Sequence, residues 1–101
     1  MRISSVHDVD GRPVVRVCGD VDLLTAPELA GHLWRLIADG NQLIEVDLAG
    51  TTFMSCRGIA VLVAAIQFAA LRGQVVRVVK PSRRARQVFA LGGVGRLLEP
   101  A

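Results

Sequence analysis

The sequence predicts a single α/β domain with a largely parallel sheet, and three observations carry that prediction. Short β-branched runs alternate with segments of helical period, in the order ββαβαβα. Strands separated by helices pair in parallel through crossovers, whereas the first two are close enough for a hairpin. The chain has 101 residues, 51% hydrophobic and 21% charged, which makes one globular domain with one thin core.

The elements follow in chain order. Ile3 to His7 is a weak first strand, Asp10-Gly11 a hairpin turn signal, and Pro13 to Cys18 a β-branched second strand. Gly19-Asp20-Val21-Asp22 reads as a polar loop that ends it. Thr25 and Glu28 form a capping box and Pro27 sits in the first turn of a helix. Its inner face is Leu29, Leu33, Leu36 and Ile37, and Gly40 stops it. Leu43 to Leu48 is a third strand in which Glu45 and Asp47 point to the same face. Gly50-Thr51-Thr52 reads as a turn, and Ser55 caps a helix over Cys56 to Leu71. The core residues predicted for that helix are Ile59, Leu62, Val63 and Ile66, and Gly73 ends it. Val75 to Val79 is apolar enough for burial on both faces. Ser82 caps a last helix to about Leu91, with Val88 and Leu91 inward, and Gly92-Gly93 breaks it. A short final strand is expected at Leu97-Leu98.

Composition excludes several function classes. The apolar run from Ile59 to Ile66 is too short to span a bilayer, which needs about 20 residues. The N-terminal MRISSVHDVDG has no apolar run, so no secretory signal is expected and a cytoplasmic location is predicted. Four aromatic residues (Trp34, Phe53, Phe68 and Phe89) are too few for a base-stacking platform, and no direct nucleic-acid partner is expected. No P-loop, strand-borne GxGxxG or GxSxG is present, and His7 and His32 stand apart from metal-ligand spacing. No catalytic residue, metal or cofactor is therefore assigned, and an enzyme is not expected. Charge is uneven: residues 1 to 56 carry a net −4 and residues 57 to 101 a net +7, which predicts an acidic and a basic region. Lys80, Arg83, Arg84 and Arg86 cluster at the start of the last helix, where the dipole disfavours cations; a solvated face is the simplest account.

The informative stretch is Asp47 to Gly58, running from a strand through a loop to a helix N-terminus, where unpaired amides favour an anion. Read on its own, Ser55 is a cap and Cys56 a small, partly buried residue.

Three blocks together resemble the bacterial STAS family of anti-sigma factor antagonists. The first is Val15 to Asp22, similar to the family's second strand and its G-[DE]-x-D loop. The second is Val46-Asp47-Leu48, Phe53-Met54 and Gly58 to Leu62. The third is Lys80-Pro81-Ser82 with Val88 to Gly93. The resemblance spans about Val6 to Leu98 and implies a small mixed sheet with helices mainly on one side. It implies a non-enzymatic module that binds an anti-sigma factor of the serine-kinase type, as a monomer or weak dimer. The docking surface it suggests is Asp20, Asp22, Thr25 and Ser55 to Gly58. In the family the kinase phosphorylates a serine in a D-S-[ST]-G motif. Here Ser55, Cys56 and Arg57 occupy the first three positions and only Gly58 is retained. A thiol is not a serine-kinase substrate, so the usual off-switch is expected to be absent, with Ser55 a shifted acceptor at most. The alternative is a redox module with Cys56 as the sensing thiol and Cys18 as its resolving partner, since both lie toward one end of the sheet if their strands are parallel neighbours.

Overall fold

A computed structural model of the chain describes residues 1–91 and 93. Its elements are β1 (Arg2–His7), β2 (Pro13–Val21), α1 (Ala26–Ala38), β3 (Leu43–Met54), α2 (Cys56–Leu71), β4 (Val75–Val79) and α3 (Arg83–Leu91). They form a four-stranded sheet in the order β1-β2-β3-β4. β1 and β2 are antiparallel, and the β2–β3 and β3–β4 pairs are parallel. The hairpin turn uses Gly11 at φ +77°, where only glycine is unstrained. The Asp8 carboxylate closes it by accepting the amides of Asp10 and Arg12, both at 2.9 Å.

Alternation along the strands separates two faces. Val15, Val17 and Val21 of β2, Ile44, Val46 and Leu48 of β3, and Val76 and Val78 of β4 are buried toward the helices. Leu29, Leu33 and Ile37 of α1, Ile59, Leu62, Ala65 and Ala69 of α2, and Ala85 and Phe89 of α3 complete that core. The other face carries charge, as the Glu45/Asp47 spacing predicts. Arg16 lies 3.9 Å from Asp47 and Arg77 lies 3.9 Å from Glu45, so the two acids of the central strand are each flanked by an arginine from a neighbour.

Five expectations are corrected. First, Gly19 to Val21 is not a loop and Gly50 to Thr52 is not a turn: both segments extend β2 and β3. Register shifts after Arg16 and Gly19 each leave an extra residue on β3, Gly19 and Gly50 stay paired with Thr51 and Cys18, and pairing resumes at Asp20 with Phe53 and Val21 with Met54. Gly50 permits this approach, because a Cβ there would lie 2.7 Å from the Cys18 sulfur. Second, β4 is buried on one face only, because the helices cover one face of the sheet and its alternate residues join the other, charged face. Third, in α1, Leu36 is only partly buried and Leu29, Leu33 and Ile37 carry the inner face. Fourth, in α2, Ala65 and Ala69 take core positions while Val63 and Ile66 are half-buried; a helix apolar all round leaves its orientation to packing. Fifth, α3 turns Ala85 and Phe89 inward, leaving Leu91 88% exposed. Ser82 caps it as expected, accepting the Ala85 amide at 3.1 Å. The expected strand at Leu97-Leu98 lies outside the described residues.

One buried polar side chain has no counterpart in the sequence reading. Gln74, at the entry to β4, donates to the carbonyls of Ile37 and Asn41 at 2.9 and 2.8 Å and accepts from Arg72 Nε at 2.9 Å. It ties the end of α1 to the start of β4. Gln74→Leu should lower unfolding free energy by about 1–3 kcal/mol, since it strands buried carbonyls. Arg16→Ala, which removes a partly exposed ion pair, should cost under about 1 kcal/mol. Urea denaturation of both variants checks the ranking.

Candidate functional site

The β2–β3 ladder delivers two chain segments side by side. At its end Val21 pairs with Met54, and the Ser55 amide donates to the Val21 carbonyl at 2.8 Å. β2 then leads into the Asp22–Thr25 turn, and β3 leads directly into α2.

The turn is organised by Asp22. Its Oδ1 accepts the amides of Leu24 and Thr25, both at 3.0 Å, and the Thr25 hydroxyl at 3.1 Å. The Asp22 amide donates to Thr25 Oγ1 at 2.9 Å, and the Ala26 amide to the Asp22 carbonyl at 2.9 Å. The capping box is therefore corrected. Thr25 has helical dihedrals and makes no side-chain cap, because its hydroxyl is turned back onto Asp22. The Thr25 amide and hydroxyl, with the Leu24 amide, hold the Asp22 carboxyl below the usual aspartate range by stabilising the charged form. Asp20, two residues earlier in β2, is exposed and accepts from the Thr52 hydroxyl at 2.7 Å, which links the two strand ends through their side chains.

Across from the turn, Ser55 is an N-cap with extended dihedrals whose Oγ accepts the Gly58 amide at 3.2 Å. Cys56 and Arg57 are exposed in the first turn of α2. Gly58 is buried beneath them. A Cβ there would lie 2.5 Å from Met54 Sδ and 2.8 Å from Val21 Cγ1, so only glycine lets α2 start this close to the ladder. The predicted residues Asp20, Asp22, Thr25 and Ser55 to Gly58 thus share one end of the sheet.

The sequence reading passed over three neighbours. Leu23, Leu24 and Phe53 are 65%, 88% and 48% exposed, and they stand apolar among those acids and hydroxyls. Phe53 belongs to the second family block, which says nothing about exposure. Its outward direction follows from Met54 facing the core, once β3 is known to continue through both.

The redox alternative gains no support, since Cys18 and Cys56 are both free and line separate depressions. Cys18 sits over Gly50 and lines a depression with Met1, Arg2 and Gly19. Cys56 lines another with Ile59, Val88 and Leu91. The basic cluster is exposed: Arg83, Arg84 and Gln87 border a shallow depression, and Lys80 precedes it at φ +48°. Among the described residues, no three His, Cys, Asp or Glu side chains come together as a metal site. No helix among them is long and apolar enough to cross a membrane.

The sequence matches the family described as "Mlab, STAS domain" over residues 4–99. The chain belongs to the STAS family. Solved structures agree in fold. SpoIIAA, an anti-sigma factor antagonist in its unphosphorylated form, superposes with a TM-score of 0.83 at 18% identity, covering 99% of this chain and 88% of that one. An anti-sigma factor antagonist from Mycobacterium paratuberculosis gives 0.81 at 26% identity, covering 96% and 83%. The STAS domain of a SulP transporter from Vibrio cholerae gives 0.60 at 22%, covering 83% and 65%. No curated protein sequence matches. In this STAS domain, as predicted, the sheet is mixed and carries three helices.

Because Asp22 is held below its unfolded pKa, its contribution to stability is present above about pH 4 and is lost as pH falls through the lower folded value. Carboxyl-detected NMR titration should place the Asp22 midpoint below that of free aspartate. The stability gap between wild type and Asp22→Asn should close on acidification.

Proposed function

We propose that this STAS-domain protein is an anti-sigma factor antagonist that docks a serine-kinase-type anti-sigma factor in the cytoplasm and so regulates sigma-dependent transcription. The observation that carries the reading is the single face made by Asp20 at the end of β2, the Asp22–Thr25 turn and the first turn of α2, held together by the Ser55–Val21 and Thr52–Asp20 hydrogen bonds. It is built for contact rather than chemistry. Asp20 offers a carboxylate at the rim, while Leu24 and Phe53 supply exposed apolar area. Asp22 and Thr25 fix the turn, Ser55 and Gly58 fix the helix start, and Cys56 and Arg57 present their side chains. The likeness to the mycobacterial antagonist, at 26% identity, supports the same assignment.

The departure at positions 55–57 supports an antagonist without the serine phosphorylation switch. Position 56 carries a thiol, and the hydroxyl one residue earlier accepts the Gly58 amide as the cap of α2.

Calorimetry against the serine-kinase-type anti-sigma factors of the same organism should find a partner with a Kd at or below about 1 µM, and Asp20→Lys should weaken it at least about tenfold. Failure of every such kinase to bind overturns the reading. Incubated with that kinase and labelled ATP, the wild type should take up no phosphate. A variant combining Ser55→Asp, Cys56→Ser and Arg57→Ser should become labelled. Labelling of wild type at Ser55 would show that the switch is retained in shifted form.

A further inference from the structure

Helix α2 has no charged residue between Arg57 and Arg72, and its outer face is apolar where a surface helix is ordinarily polar. Arg57, Ala60, Ala64, Phe68, Leu71 and Arg72 are all exposed. At 100° per residue they fall within one strip, about 22 Å long from Arg57 to Arg72. Trp34 of α1 widens the strip: its ring meets Phe68 edge-on at 5.2 Å between centroids, and the two line a shallow apolar depression of about 230 Å³. The Arg72 guanidinium lies over the other aromatic partner, 5.8 Å from the Phe68 centroid, and its Nε is fixed by Gln74. A Trp–Phe–Arg cluster held in place before any partner arrives is the composition of interface hot spots.

We infer that this outer face of α2, with Trp34, is a docking surface for an amphipathic helix of another protein that carries acidic side chains at both ends. The strip's length and its i, i+4, i+8 spacing suit a helix laid along it. Charge selects the occupant. Arg57 and Arg72 bracket the strip, neither pairs with a carboxylate among the described residues, and the sequence has no Asp or Glu from Arg57 to Leu98. A second copy of this chain is disfavoured by the same charges. A two-fold pair aligned along the strip is either parallel or antiparallel, and in both cases arginine faces arginine. The inference stands whether or not the partner at the strand ends is an anti-sigma factor.

Trp34 is the chain's single tryptophan, so its fluorescence reports occupancy of the strip directly. The probes are two synthetic helical peptides with the same leucine stripe, one with glutamates in its first and last turns and one with lysines there. The glutamate peptide should shift Trp34 emission to the blue and saturate with a Kd of about 10–100 µM. The lysine peptide should bind at least about tenfold more weakly. Leu71→Asp and Ala64→Arg, both at exposed positions, should each reduce binding of the glutamate peptide about tenfold or more. The double variant Arg57→Glu with Arg72→Glu should reverse the preference. Any of four results overturns the inference: no saturable shift, equal binding of the two peptides, a shift produced by phosphatidylglycerol vesicles but not by peptide, or Leu71-dependent self-association of the wild type in sedimentation.

Discussion

Everything at the candidate site depends on how far the parallel β2–β3 ladder runs. If pairing ended at Cys18 and Leu48, the turn after β2 and the start of α2 would hang from separate loops. Pairing instead resumes after two register shifts and continues to Val21 and Met54. The Ser55 amide then adds one more hydrogen bond to Val21. Backbone hydrogen bonds between extended strands fix relative position more tightly than side-chain contacts between loops, because each residue added to the ladder removes its own backbone freedom. The Asp22 turn and the α2 N-terminus are therefore presented as one surface.

Two glycines make that shared surface possible by doing without a side chain. Gly50 allows Cys18 to lie across the ladder, and Gly58 allows α2 to begin against Met54 and Val21. Neither has a positive φ. Their value is close approach rather than conformational range. A Cβ at either position would force the neighbour aside, and at Gly58 that neighbour is buried core.

The sheet's two faces divide the work. The helix-covered face supplies the hydrophobic stabilisation, while the charged face sets Glu45 and the buried Asp47 beside Arg77 and Arg16, whose own side chains reach water. The helices in turn differ in their outer surfaces. α2 contributes Ile59, Leu62, Ala65 and Ala69 to the core and shows alanine, phenylalanine and leucine outward. A helix needs only one apolar stripe to be held in this fold, so the second stripe is not accounted for by folding.

The sequence by itself determined the element order, the parallel pairing, the shared face of Glu45 and Asp47, the caps at Ser55 and Ser82, and the residues to examine at Asp20 to Thr25 and Ser55 to Gly58. These follow from local rules: period two in strands, cap chemistry at helix starts, and crossover geometry between parallel strands. Only the tertiary structure decided the rest. Gly50 lends Gly50-Thr51-Thr52 turn propensity, yet the segment continues a strand when a neighbouring strand supplies the hydrogen bonds, in keeping with its two β-branched threonines. Thr25 has the spacing of a cap, yet Asp22 captures its hydroxyl first. In α2, where every face is apolar, periodicity carries no information about which one turns inward. That choice rests on which side chains fit against α1 and the sheet, a property of packing among elements distant in the chain.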